Sequence, residues 1–287
     1  MSTLAVTGAT GHLGRLVIES LLTRGVAAES VVAVVRSPEK AQDLAARGVQ
    51  VRRGDYDDPQ SLATAFAGVS KLLLISASEP GKRLPQHRNA IEAASAAGVG
   101  FLAYTGILNA DTTKMLLAEE HQATEEVIRA SGLRYALLRN GWYFENYTER
   151  LAPVFEHGAL LGAAGDGLLA AASRADYAEA AAAVLTGPDL TNSVFELGGD
   201  RPFTLAALAT EIATQSGKPV VYQNLPVDEY AKVLVSVGLP EGYAHILADS
   251  DLGIARGDLT TDSGDLHGLI GRPTTTLAEA VAAALKA

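Results

Sequence analysis

The chain contains no cysteine. Disulfides, thiol catalysis and thiolate metal sites are therefore excluded, no metal site is expected, and a reducing, cytoplasmic location fits. No apolar run approaches the ~20 residues that a membrane span requires. The N-terminus leads directly into a strand, with no charged segment and cleavage site ahead of it, so a soluble, untargeted protein is expected. Positive charge is also short: 23 Lys and Arg stand against 33 Asp and Glu, a net charge of −10. With no basic stripe, nucleic acid and anionic membrane surfaces are poor partners. Aromatic residues make up only 6% of the chain, so several in succession stand out.

What is present suits a folded protein. The 287 residues are 48% hydrophobic and 20% charged, enough for one large domain or a large and a small one. A core of that size needs no disulfide or metal staple. Apolar strands are expected at Leu4–Thr7, Val31–Val35, Val49–Arg53, Lys71–Ser76, Phe101–Thr105 and Tyr135–Arg139. Helices between them are expected at Leu13–Arg24, Pro38–Arg47, Ser61–Ala67, Pro85–Ala97 and Glu119–Ser131. Continuous apolar strands alternating with helices predict an α/β fold, a Rossmann-like doubly wound parallel sheet covered on both faces. After Tyr147 the rhythm loosens, with helices at Ala175–Leu185 and Thr204–Ser216 and strands at Ser193–Leu197 and Val220–Gln223. Beyond Pro226 short helices are expected, broken at Pro240, Gly253 and Gly257, and a last helix capped from Thr274–Thr276. The expected division is a nucleotide-binding domain over residues 1–150. Residues 151–287 would hold the last sheet elements interleaved with a small, mostly helical lobe.

The segment Gly8-Ala9-Thr10-Gly11-His12-Leu13-Gly14 lies between the first strand and the first helix. Gly8 permits a tight turn, Gly11 lets the backbone approach a pyrophosphate at the helix N-terminus, and Gly14 allows helix to pack on sheet. The spacing is the short-chain-dehydrogenase form of a dinucleotide loop, and no Gly-Lys-Ser/Thr follows to make a Walker loop. The second strand ends at Arg36, where a grip on the ribose hydroxyls of NAD would call for an acid. An arginine there pairs with a 2′-phosphate, which favours NADPH; the alternative is stacking on adenine or pointing into solvent. Asp55, after the third strand, can accept the adenine amine or else cap the next helix. Ser76, Ala77 and Ser78 are small enough to let a ribose and pyrophosphate lie close, or simply to pack.

Together TGATGHLG, VVRSP, GDYDD, LLLIS and LLRNGWYFENY resemble the NmrA-like atypical short-chain dehydrogenases, in particular the group of type 2 quinone oxidoreductases and triphenylmethane reductases. PQHRN at 85–89, GAAGDG at 162–167, SRADYA at 173–178 and GRPTTTL at 271–277 extend the resemblance over essentially the whole chain. It implies NADPH without flavin and direct hydride transfer to a small-molecule quinone or dye. It places Gly8 to Gly14 on the pyrophosphate, Arg36 on the 2′-phosphate, Asp55 and Tyr56 by adenine, and Ser76 to Ser78 near the ribose. Thr105 joins this cofactor set. Asn140, Gly141, Trp142, Tyr143, Phe144, Glu145 and Arg174 fall against the nicotinamide half. Asn140, Trp142 and Tyr143 would then position the acceptor, with Trp142, Tyr143 and Phe144 as an aromatic wall; the alternative is that these aromatics pack the lobe.

The Tyr-x-x-x-Lys pair of most short-chain dehydrogenases is missing: Leu108 stands four places after Tyr104, and Tyr147 four after Tyr143. His121 lies where related members keep a lysine, and can equally be a solvent-facing helix residue. Ketone reduction makes a strongly basic alkoxide that needs a placed acid. Hydride addition to a quinone yields a phenolate-like oxyanion whose conjugate acid has a pKa near the ~10 of tyrosine. A site without the dyad therefore suits quinones or cationic dyes, with proximity as its main contribution. The competing readings are a redox sensor that binds NADP(H) and a protein partner without turnover, and a reductase of phenylpropanoid or imine double bonds. Homo-oligomerisation is left open.

Overall fold

The structure, a computed structural model, describes residues 2–79, 81–188 and 190–286. In chain order the first half comprises β1 (Leu4–Val6), α1 (His12–Thr23), β2 (Val31–Val35), α2 (Gln42–Ala46), β3 (Gln50–Arg53), α3 (Pro59–Ala65), β4 (Lys71–Leu74), α4 (Arg83–Ala96), β5 (Phe101–Ile107), α5 (Leu116–Ala130) and β6 (Tyr135–Asn140). There follow α6 (Glu145–Thr148), α7 (Ala152–His157), β7 (Ala159–Gly162), α8 (Arg174–Thr186), β8 (Ser193–Leu197), α9 (Leu205–Ser216), β9 (Val221–Asn224), α10 (Val227–Ser236), α11 (Glu241–Arg256), α12 (Asp265–Ile270) and α13 (Leu277–Ala284).

The chain forms two compact units. The first contains Met1–Ile107, Glu120–Arg139 and Arg174–Phe195; the second contains Leu108–Glu119, Asn140–Ser173 and Glu196–Ala287. The main sheet runs β3-β2-β1-β4-β5-β6-β8, the strand order of a doubly wound Rossmann sheet extended by one strand. β1 pairs in parallel with β2 and β4, with Leu4 opposite Val31 and Lys71. β2 is five β-branched or small residues, all buried, as a strand covered on both faces must be. One face packs Val32, Val34, Leu62, Phe66, Leu72, Leu74, Ile91, Leu102, Ile128 and Leu137 into a continuous core. α1 and α8 pack against each other, and the alanines of α8 permit that close approach. In the second unit β7 and β9 form a parallel pair, Ala159 opposite Val221. Among the described residues no helix is long and apolar enough to cross a membrane.

Helix ends follow their capping residues. Asp58 caps α3 by accepting the Ser61 N–H at 3.2 Å, so Asp55 is not the cap of that helix. Thr204 caps α9 through the Ala207 N–H at 3.1 Å. Thr276 and Glu279 form a reciprocal capping box on α13.

Several expectations need correction. β4 ends at Leu74, not Ser76, because the Ile75 and Ser76 N–H groups turn to Thr7 Oγ1 (2.9 Å) and Thr105 Oγ1 (3.0 Å). The helix expected over Pro38–Arg47 is a 3-10 turn, Pro38–Ala41, followed by the short α2. Gly253 does not break a helix: α11 runs through it. A Cβ there would stand 2.4 Å from Met115 Sδ, so this glycine serves close packing. His121 is not solvent-facing; it is 5% exposed.

Candidate functional site

In the first unit the loop from Gly8 to Gly14 leaves β1 and opens α1. Gly8 adopts φ +59°, the left-handed conformation that glycine supplies without strain. The Gly11 N–H closes the turn on the Gly8 carbonyl at 2.9 Å. A Cβ on Gly14 would lie 2.4 Å from the Gly8 oxygen and 2.8 Å from Ala9 Cα. Helix and loop are therefore in backbone contact. The N-terminus of α1 has neither a side-chain cap nor an acid in its first turn. Its positive dipole end, with no side chain capping it, suits a pyrophosphate.

The expected adenine and ribose residues follow β2, β3 and β4 of the same sheet. Arg36 follows β2 with its side chain 70% exposed, 3.6 Å from Glu79. So exposed a pair holds weakly and leaves the guanidinium available to a phosphate. The Asp55 carboxylate accepts the Asp57 N–H at 3.1 Å. The Tyr56 hydroxyl lies 2.7 Å from the Ile75 carbonyl and 2.6 Å from Thr7 Oγ1, tying the ends of β1 and β4 together. Burial raises the pKa of that phenol above its ordinary value. Buried Thr105 holds Ser76 as described above.

Sequence reasoning missed the scaffold beneath these loops. The PQHRN segment on α4, noted only as part of a resemblance, binds both of them. Gln86 Nε2 donates to the Asp57 carboxylate at 3.2 Å, and Asn89 Nδ2 donates to the Tyr56 carbonyl at 2.8 Å. His87 Nε2 accepts the Ala77 N–H at 2.9 Å. That bond fixes the tautomer: Nδ1 carries the proton and donates it to Thr124 Oγ1 at 2.9 Å. Arg83 Nε donates to the Ala77 carbonyl at 2.8 Å, so both backbone groups of Ala77 are clamped. The signal was there in the cluster of polar residues on a helix, but their partners are remote in sequence.

Tyr104 and His121 form a second buried pair, hydroxyl to Nδ1 at 2.7 Å. Burial raises the Tyr104 pKa and lowers that of His121, with Arg83 acting in the same direction on the histidine. A sealed, raised phenol of this kind is no substitute for the missing Tyr-x-x-x-Lys acid.

The two histidines predict an acid sensitivity. Burial, with Arg83 nearby, pushes His87 down to about 3. Between about pH 6.5 and 4.5 the unfolded chain binds both imidazole protons and the native chain binds neither. Stability therefore falls with pH, by about 1.4 kcal/mol per unit for each histidine. Asp251 works the other way below pH 6, since burial raises its native carboxyl to about 6. The net expectation is about 1.4 kcal/mol lost per unit, doubled in Asp251→Asn. Urea midpoints at pH 6, 5.5 and 4.5 measure it; a flat series would rule it out.

In the second unit Asn140 ends β6 and the chain turns at once into Gly141–Glu145. The Gly141 N–H donates to the Leu197 carbonyl at 2.7 Å, and Tyr143 bridges in parallel to Ala172. Asn140 is 3% exposed. Its amide nitrogen donates to the Tyr143 hydroxyl at 3.3 Å, but its Oδ1 is buried without a hydrogen-bond partner among the described residues. A buried amide oxygen left open is a place for a ligand donor. Trp142 and Phe144 are buried, and Phe144 stacks on Phe203 at 5.4 Å; Tyr143 is only half-buried. Arg174 opens α8 and, like the loops above, belongs to the first unit. No cluster of His, Asp and Glu suited to a metal ion occurs among the described residues.

A glycine turn after β1 that opens a helix with no side-chain cap, a cation after β2 and the Rossmann strand order define a dinucleotide-binding protein. Residues 8–188 match the profile of the NAD(P)H-binding family. The chain belongs to that family and, within it, to the NmrA-like group of type 2 quinone oxidoreductases and triphenylmethane reductases. It is 56% identical over 278 residues to Quinone oxidoreductase 2 of Escherichia coli (strain K12), covering 97% of each chain. The crystal structure of the NADPH-dependent quinone oxidoreductase of Escherichia coli complexed with NADPH superposes with a TM-score of 0.95 at 55% identity, covering 99% of this chain and 100% of that one. The Citrobacter sp. triphenylmethane reductase complexed with NADP(H) gives a TM-score of 0.93 at 42% identity, covering 98% and 100%.

Proposed function

We propose that this chain is an NADPH-dependent quinone reductase that passes hydride directly to a quinone or a similar planar acceptor, without flavin. The observation that carries the reading is end-to-end similarity, 56% identity over 97% of both chains, to a quinone oxidoreductase. The first unit supplies a fitting cofactor cradle: the uncapped α1 N-terminus for the pyrophosphate and the exposed Arg36 for a 2′-phosphate. When bound, NADPH supplies the hydride. Residues 140–145 are assigned to the nicotinamide and acceptor end, with the open Asn140 Oδ1 available to an amide or hydroxyl donor. Trp142 and Tyr143 then orient a flat ring by stacking.

The test is NADPH oxidation followed spectrophotometrically with benzoquinones, naphthoquinones and a cationic triphenylmethane dye, without added flavin. Turnover by a colourless protein is expected. A stoichiometric yellow chromophore released on denaturation, or no turnover with any acceptor, would overturn the reading. Cofactor choice has its own test. Losing a charge-assisted contact costs about 1.5–3 kcal/mol, roughly one to two decades of affinity. Arg36→Ala is therefore expected to weaken NADPH binding by that factor and leave NADH binding nearly intact. Equal affinities for both cofactors in the unaltered protein would falsify the assignment.

A further inference from the structure

The loop between β4 and α4 brings a carboxylate onto the cation assigned to the cofactor's 2′-phosphate. The loop starts beside the glycine turn, where a Cβ on Gly8 would stand 3.8 Å from Ile75 Cβ. It is fastened on either side of Glu79. Arg83 and His87 hold both backbone groups of Ala77. The Glu120 carboxylate on α5 accepts the Gly81 N–H at 3.2 Å, and Arg83 reaches the same oxygen at 3.4 Å. The Glu79 carbonyl accepts the Lys82 N–H at 3.2 Å. Glu79 is thus presented on a braced turn, and all of these residues belong to the first unit.

The two oxygens of the Glu79 carboxylate face two cations. Oε1 lies 3.6 Å from Arg36, and Oε2 lies 3.2 Å from Lys82. The charge of Arg36 also reaches the Tyr56 phenol at the expected adenine edge. The contact to Arg36 is the longer of the two, so it is the one that yields first. A guanidinium fork that fits a carboxylate fits a phosphate by the same geometry. The two anions compete for it, because a phosphate monoester carries about −1.5 to −2 charges near neutrality and a carboxylate beside it repels. NADH has no 2′-phosphate and brings no such charge.

We propose that Glu79 is the built-in competitor of the 2′-phosphate on Arg36, that NADPH displaces it and NADH does not, and that Lys82 draws the displaced carboxylate aside. Glu79 is then a specificity-determining residue, one that holds the preference for NADPH below what Arg36 alone gives. The proposal rests on the assignment of Arg36 to the 2′-phosphate. Without the carboxylate, the phosphate meets Arg36 with no competitor. Without Lys82, Glu79 has a single cation left and clings to Arg36.

Calorimetric titration with NADPH and with NADH compares the unaltered protein, Glu79→Gln, Lys82→Gln, the double variant and Arg36→Ala, at about 0.02 M and about 0.5 M salt. Glu79→Gln keeps the size of the side chain and removes its charge. It is expected to tighten NADPH binding about three- to fivefold at low salt, the upper range for an exposed ion pair, and to leave NADH binding unchanged. High salt is expected to shrink the gain, since exposed charges are screened. Lys82→Gln is expected to weaken NADPH binding about two- to threefold while Glu79 is present and to have no effect in the double variant. A gain in affinity for one cofactor alone is not something that damage to the fold produces. Unchanged or weaker NADPH binding in Glu79→Gln overturns the proposal, as does equal tightening of both cofactors. Weaker NADH binding overturns it too, because the carboxylate would then be gripping ribose hydroxyls. A Lys82→Gln loss that persists in the double variant overturns the part given to Lys82 and marks a direct contact with the phosphate. NADPH binding by Arg36→Ala as tight as in the unaltered protein overturns the parent assignment itself, whatever Glu79→Gln does.

Discussion

Glu125→Ala is expected to destabilise the first unit by about 3–5 kcal/mol, the usual cost of stranding one partner of a buried ion pair. Glu125 on α5 is 1% exposed and Arg139 on β6 is 2% exposed. The two meet in a two-pronged pair, Nε to Oε1 at 2.9 Å and a terminal nitrogen to Oε2 at 2.8 Å. Arg129 adds a third donor to Oε2 at 2.8 Å. Removing the carboxylate leaves the Arg139 guanidinium buried beneath α5, where desolvation opposes its charge. Replacing both partners, Glu125→Leu with Arg139→Met, is expected to recover most of the loss, because the charge then left without its counterpart, Arg129, is 41% exposed and not buried. Urea unfolding of the single and double variants decides it. A single-variant loss below about 1 kcal/mol would show that the pair contributes as little as a solvated surface bridge.

Gly14→Ala is expected to abolish cofactor binding, with an affinity loss of at least about a hundredfold. The added methyl would meet backbone, not flexible side chains: the Gly8 oxygen at 2.4 Å, Ala9 Cα at 2.8 Å and Gly8 C at 2.9 Å. Either α1 moves off the turn or the turn opens, and both displace the helix N-terminus proposed for the pyrophosphate. Overpacking of this sort also costs about 1–3 kcal/mol of stability. Gly268→Ala, on α12 with nothing within 4 Å of the added methyl, is the control and is expected to bind NADPH normally. Calorimetric titration of both variants reads the difference; near-normal binding by Gly14→Ala would mean that the helix slides without disturbing the loop.

Residue order alone determined the sheet class and the cofactor type. Val31–Val35 is buried along its whole length, and Gly8, Gly11 and Gly14 occupy one continuous turn. Those features are local, since strand burial, turn geometry and helix start depend on residues within a few positions of one another. The tertiary structure decided whatever depended on distant partners. His87 clamps Ala77 ten residues away, but it does so only because Thr124 receives its other proton. His121 reads as an ordinary surface residue until Tyr104 and its helix bury it. Gly253 reads as a breaker until Met115 is found where its side chain would be. Asp251 carried no signal at all, because one carboxylate on an amphipathic helix is indistinguishable from any other. Only folding withdraws it from water and sets it against Ala163, and so makes its proton chemically different from those of the exposed acids.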